Sequence, residues 1–173
     1  EQPQPGRQTG SGSGSGSAGV AVPAPKLTRV DIRSLIESVV TLLKRDPAFQ
    51  QLAVHIDGRT ASALGDPNLL TITLQNLLIN AAQAQQGRGD VRVTLSAQDS
   101  MSRVEIADQG PGIPAEIRAA LFRPFKTTKA RGTGLGMATA KRLIESQSGL
   151  IEVDCPPAGG TVVTLLIPTA PLE

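Results

Sequence analysis

The amino-acid sequence predicts an α+β fold with helices layered on one face of a β-sheet, and three observations lead there. Apolar residues switch between helical and strand spacing in the order helix, strands, helix, two strands, helices, two strands. After a Gly/Ser/Pro-rich start, about 145 residues remain, the size of one ordinary domain with one core. Hydrophobic residues make up 39% of the chain with three Phe and no Trp or Tyr, so that core is aliphatic, built from Leu, Ile, Val and Ala.

Residues 1–25 hold a Gly-Ser alternation and several prolines, a composition that cannot bury enough apolar surface to offset its ordering entropy. They are expected to be a disordered linker, followed by one folded domain over 26–168 and a short C-terminal tail over 169–173. From Asp31, the residues Ile32, Leu35, Ile36, Val39, Leu42 and Leu43 recur at helical spacing and stop before Asp46-Pro47. Leu52, Val54 and Ile56 alternate with Ala53, His55 and Asp57, which predicts a strand, and a short strand is expected over 60–64. Asp66-Pro67 supplies an N-cap and a first-turn proline for a long helix reaching Gln86, closed by Gly87 and Gly89. Strands are predicted over 91–97 and 103–107 as an antiparallel pair, followed by a Gly/Pro turn from Asp108 to Pro114. A short helix over 115–121 precedes an aperiodic stretch, 122–134, rich in Lys, Thr and Gly. Helical spacing resumes over 135–147 through Met137, Ala140, Leu143 and Ile144, and strands over 150–154 and 161–167 complete the order.

Composition excludes several function classes. No apolar run approaches the roughly 20 residues that span a bilayer, and the N-terminus has no charged-then-apolar leader, so the chain is expected to be soluble and cytoplasmic. Cys155 stands alone, which excludes an internal disulfide and a cysteine zinc site and reads as a buried small residue. A net charge of +2 without any Lys/Arg cluster or aromatic surface argues against a nucleic-acid partner.

Three stretches carry chemistry. Asn76 and Asn80 are four residues apart, so both amides leave one helix face while Leu70, Leu74, Leu77, Leu78 and Ala81 turn to the core. An asparagine carbonyl is a hard oxygen ligand suited to Mg²⁺; a merely solvated face has the same pattern. Asp108-Gln109-Gly110-Pro111-Gly112-Ile113-Pro114 puts a carboxylate at a strand end, able to accept from an exocyclic amine such as adenine's, next to residues without side chains. A capped turn reads the same way. Gly132-Thr133-Gly134-Leu135-Gly136 opens a helix, where free N–H groups and the helix dipole favour phosphate. Its spacing is neither the dinucleotide fingerprint nor a P-loop.

In their order and spacing, Asn76/Asn80, the Asp108 stretch, Phe122-Arg123-Pro124-Phe125-Lys126-Thr127-Thr128-Lys129 and Gly132–Gly136 closely resemble the asparagine, first glycine, phenylalanine and second glycine boxes of histidine-kinase ATP-binding domains. The resemblance covers residues 30–168, and Gly159-Gly160-Thr161 looks like the family's closing element. It implies a two-layer α/β sandwich of the Bergerat type, a mixed, mostly antiparallel sheet covered on one face by about three helices. It implies the cofactors ATP and Mg²⁺. Asn80 would be the Mg²⁺ ligand, with Asn76 and Gln83 beside the phosphates. Asp108, supported by Thr161, would hold the adenine amine, with Gly110, Gly112 and Ile113 along the base. Phe122 and Phe125 would anchor a lid, Lys129 would reach phosphate, and the amides around Gly132, Thr133, Gly134, Leu135 and Gly136 would wrap the triphosphate. The short lid and the Asn80-to-Ala84 run resemble the branch of nitrogen-regulation and oxygen-sensing kinases.

The hydrolases of this superfamily, gyrase B subunits, mismatch-repair proteins and heat-shock chaperones, carry a glutamate one helical turn before the metal asparagine. Here that position is Asn76, and an amide cannot deprotonate water. The resemblance therefore implies a kinase that moves the γ-phosphoryl group to a histidine outside this chain. His55, in a strand, reads as a sheet-face residue. The implied partners are the dimerisation and histidine-phosphotransfer domain of the same kinase and a downstream response regulator, in a homodimeric parent whose membrane anchor, where there is one, lies in other segments; the isolated domain is expected to be monomeric. Three positions depart from the family: Ile72 replaces a glutamine, Gln83 a basic residue, and Lys126 an aromatic. Lys126, Lys129 and Arg131 all stand as candidates to meet the γ-phosphate.

Overall fold

The computed structural model of the chain describes residues 24–60, 62–123 and 136–172. The expectations for residues 1–23, for most of the lysine-rich stretch and for Gly132–Leu135 lie outside these residues.

The elements follow in chain order: β1 Thr28–Val30, α1 Ile32–Leu43, β2 Leu52–Gly58, β3 Ala63–Gly65, α2 Pro67–Ala84, β4 Gly89–Gln98, β5 Met101–Asp108, α3 Ala115–Arg118, α4 Gly136–Glu145, β6 Leu150–Asp154 and β7 Thr161–Pro168. A five-stranded sheet runs β2-β4-β5-β7-β6, and β1 and β3 form a separate antiparallel pair. Only the β2–β4 pairing in the larger sheet is parallel, so the sheet is mixed and mostly antiparallel, as expected.

Alternation builds the layers. Val91, Val93 and Leu95 of β4 and Val104 and Ile106 of β5 point to one face, where they bury against Ile36, Leu70, Leu74, Leu77, Leu78 and Ile144 of the helices. Arg92, Arg103 and Glu105 occupy the other face. Helix α2 lies centrally, with α1 and α4 on its flanks. Truncating a fully buried leucine such as Leu74 or Leu78 costs about 2–5 kcal/mol in such a core.

Several boundaries differ from the sequence expectation, each for a local reason. The strand expected over 60–64 is shifted to Ala63–Gly65, where its register is set by β1, a three-residue strand too short to show periodicity. Helix α2 stops at Ala84 rather than Gln86, because Gln86 adopts φ 58° and Gly87 φ 76°. The Gly87 N–H donates to the Ala82 carbonyl at 2.8 Å and the Gln86 N–H to Gln83 at 3.1 Å, a Schellman closure with glutamine in the left-handed position. The helix expected over 115–121 is one α-turn, Ala115–Arg118, continued by turns. Strands β4 and β5 are longer than expected at both ends, meeting in a tight connection with Asp99 at φ 53°. A 3₁₀ turn over Pro47–Phe49, capped by Asp46, was not legible from periodicity. Residues of the expected tail are tied down: the Thr169 N–H donates to Ser100 at 2.9 Å and the Ala170 N–H to Ser62 at 2.7 Å.

Candidate functional site

The start of α2 is fixed by its cap. Asp66 Oδ1 accepts from the N–H of Asn68 at 2.9 Å and of Leu69 at 3.3 Å, while Oδ2 accepts from the N–H of Lys26 at 2.8 Å. The Lys26 N–H is the largest influence holding this carboxyl below its ordinary value; burial opposes it, and the Leu69 and Asn68 N–H groups add to the lowering. The other end of α2 reaches the loop that follows β5.

At that place the predicted residues converge. Asn76 and Asn80, both half-buried, leave the same face of α2. Gly136, the first residue of α4, faces Asn80: a Cβ at Gly136 would stand 3.8 Å from Asn80 Nδ2, its nearest neighbour among the described residues. Asp108 ends β5 in register with Thr161, the first residue of β7. Its Oδ1 accepts from the N–H of Gly110 at 2.9 Å and of Thr161 at 3.3 Å. Thr161 thus meets the carboxylate through its backbone, while its hydroxyl lies 3.9 Å from Cys155 Sγ.

The glycines have packing reasons of their own. A Cβ on Gly110 would lie 2.8 Å from the Ala84 carbonyl oxygen, so the loop after β5 presses on the last turn of α2. Gly160, at φ 78°, would place a Cβ 2.1 Å from the Asp108 carbonyl oxygen. Gly112 has φ 79°. These contacts hold the Asp108 loop against both α2 and the β7 entry.

Other expected residues are placed as follows. Ile113 is half-buried, and its N–H donates to Cys155 Sγ at 3.3 Å. Phe122 is half-buried, packs on the core and carries Lys141 Nζ over its ring at 5.7 Å from the centroid. Gln83 is exposed on the last turn of α2. Phe125, Lys129, Gly132, Thr133, Gly134 and Leu135 lie outside the described residues, as do Lys126 and Arg131. His55 lies on the open sheet face, with Nε2 3.0 Å from Asp90 Oδ1, and lines one cleft with Asp57, Arg92, Ala107, Asp108 and Gln109.

Sequence reasoning missed two residues that shape the site. Gln85 Oε1 accepts from the Gln109 N–H at 2.9 Å and so ties the end of α2 to the loop after β5. Cys155, expected as a buried small residue, is half-buried and braces the same loop at Ile113. Neither residue type carries a pattern that marks such contacts.

An amide oxygen on Asn80 belongs to the hard class that Mg²⁺ prefers, and Gly136 sets no side chain against it. Among the described residues there is no cluster of three or more His, Cys, Asp or Glu that could hold a metal ion.

Residues 65–171 match the family described as histidine kinase-, DNA gyrase B- and HSP90-like ATPase. The signal transduction histidine-protein kinase AtoS of Escherichia coli (strain K12) is 36% identical over 146 residues, covering 83% of this chain and 24% of that protein. The sensory histidine kinase/phosphatase NtrB of Rhodobacter capsulatus is 37% identical over 139 residues, 73% of this chain and 39% of that one. The chain therefore spans well under half the length of these relatives. Among solved structures, the mycobacterial sensor histidine kinase MprB superposes with a TM-score of 0.76 at 28% identity, covering 85% of this chain and 100% of the other. The catalytic domain of histidine kinase ThkA gives 0.73 at 27% identity, with 83% and 96% covered.

Proposed function

Because the chain belongs to the histidine kinase-, DNA gyrase B- and HSP90-like ATPase family, we propose that it is the Mg-ATP-binding catalytic domain of a two-component sensor histidine kinase. It transfers the γ-phosphoryl group to a histidine on a dimerisation domain outside this sequence. The observation that carries the reading is the placement of Asn80 against the start of α4 at Gly136, with Asp108 at the neighbouring strand end.

Each residue has a task that its chemistry suits. Asp108 accepts the adenine amine, with its carboxylate oriented by the Gly110 and Thr161 N–H groups. Asn80 offers its amide oxygen to Mg²⁺, and Asn76 lies one turn earlier on the phosphate side. The start of α4 directs N–H groups and the positive end of its dipole at phosphate. Mg²⁺, when bound, supplies charge neutralisation to the phosphoryl oxygens. Transfer is then mainly positioning and charge stabilisation, with the nucleophile coming from the partner domain. An amide at position 76 provides no general base for water, which favours transfer over hydrolysis. The partners on this reading are the dimerisation and phosphotransfer domain of the same homodimeric kinase and a response regulator. Among the described residues no helix is long and apolar enough to cross a membrane.

Two measurements test the reading. Titration of the chain with Mg-ATP is expected to show binding that Asn80→Ala weakens by about tenfold or more, the scale of one lost metal ligand contact. Adding the matching dimerisation hairpin and ATP is expected to yield acid-labile phosphohistidine. Binding that Asn80→Ala leaves unchanged, or no phosphohistidine with an intact hairpin, overturns the assignment.

A further inference from the structure

The most completely buried polar side chain with a long reach is far from the site. Gln147, just beyond α4, is 1% exposed. Its Oε1 accepts from the Asp66 N–H at 2.7 Å, and its Nε2 donates to the Leu143 carbonyl at 2.9 Å. Gly65 makes room for it: a Cβ there would stand 3.0 Å from Oε1. The turn that carries Gln147 is itself locked, with Ser148 at φ 61° and the Gly149 N–H donating to Ile144 at 3.0 Å. The amide therefore joins the end of α4 to the N-cap residue of α2.

The two helices run antiparallel. At one end Gln147 meets Asp66; at the other Gly136 meets Asn80. Helix α4, 10 residues and so about 15 Å long at 1.5 Å per residue, separates the two contacts. Between them the packing includes Ala140 and Ile144 against the leucines of α2, apolar contacts that carry little directional preference and tolerate a small slide. The hydrogen bond to the Asp66 N–H does not: a slide leaves that buried donor and Gln147 Oε1 unpaired, while the Nε2 bond to Leu143 moves with α4.

We infer that Gln147 is a positioning residue for the phosphate end of the nucleotide, setting the axial register of α4 against α2 so that the α4 start meets Asn80. The inference deepens the ATP-binding reading and rests on it. The adenine end is held by the β5 and β7 termini instead, so Gln147 acts on triphosphate and not on the base.

The test compares Mg-ATP and adenosine binding to the folded chain, with folded fraction fixed by circular dichroism. Gln147→Met keeps the volume and removes both hydrogen bonds. It is expected to weaken Mg-ATP about tenfold, as follows when the aligned register falls to about a tenth of the population, while adenosine stays within about twofold. Gln147→His, which retains one donor and one acceptor in the neutral ring, is expected to restore most of the loss. Where Gln147→Met does not fold, Gln147→Asn, one methylene too short to reach both partners, is expected to give the same selective loss at smaller size. Equal weakening of both ligands, or of neither, overturns the inference while leaving the ATP-binding reading standing; a wild-type chain that binds neither ligand overturns both.

Discussion

The carboxylate of Asp108 accepts the backbone N–H of Thr161 at 3.3 Å, linking the last residue of β5 to the first of β7. The same oxygen accepts the Gly110 N–H at 2.9 Å, so two backbone donors orient one side chain. Asp108→Asn retains an acceptor oxygen for both donors and replaces the other oxygen with an NH₂ group. The variant is therefore expected to fold normally and to weaken ATP by about tenfold or more, since a donor then faces the adenine amine. Because hypoxanthine presents a carbonyl at that position, the ratio of ITP to ATP affinity is expected to rise. Competition binding with the two nucleotides reads both effects, and an unchanged ratio sinks the assignment of Asp108 to the base.

Much of this arrangement was legible in the sequence because it depends on short-range rules. Asp66-Pro67 announces the start of α2, and a four-residue spacing is enough to put Asn76 and Asn80 on one face. The remainder depends on partners distant in the chain. Three-residue β1 and β3 have no period of their own and exist through pairing with each other. The parallel register of β2 on β4 brings Asp90 to His55, although thirty-five positions separate them in sequence. Gln147 sits where a polar residue near a helix end ordinarily reads as solvated, and only the antiparallel packing of α4 on α2 turns it into a buried tie. The contact of Gly110 with the Ala84 backbone, where a Cβ would stand 2.8 Å from the carbonyl oxygen, likewise depends on a partner distant in the chain.

The cap on α2 gives the fold an acid-sensitive contribution. Asp66 has its carboxyl held below the ordinary value of 3.8, chiefly by the Lys26 N–H. A depressed folded-state value means that the ionised form stabilises the fold: the contribution is complete above the unfolded value and is lost as pH falls through the folded one. Asp66→Asn removes the titration and keeps one acceptor for the cap. The difference in urea midpoint between the wild type and this variant is expected to be constant above about pH 5 and to shrink steadily below about pH 4. A difference that does not vary with pH would show that the charge on Asp66 contributes nothing.

Asn76 offers the sharpest separation between phosphoryl transfer and hydrolysis, because it is half-buried one helical turn before Asn80 and carries an amide where a base would be needed. Asn76→Glu places a carboxylate on the same face at almost the same reach, able to take a proton from water beside the γ-phosphate. General-base assistance is worth about 10²–10⁴ in favourable geometry, and an unrefined site is expected to recover only part of it, about tenfold in phosphate release. Asn80→Ala in the same background is expected to abolish the gain, since the base acts only on a phosphate held at the site. Phosphate release measured without any phosphoacceptor reads this directly. If Asn76→Glu binds ATP as tightly as the wild type and releases no more phosphate, the amide at position 76 is not what restrains hydrolysis, and the restraint must instead lie in how water is kept from the γ-phosphate.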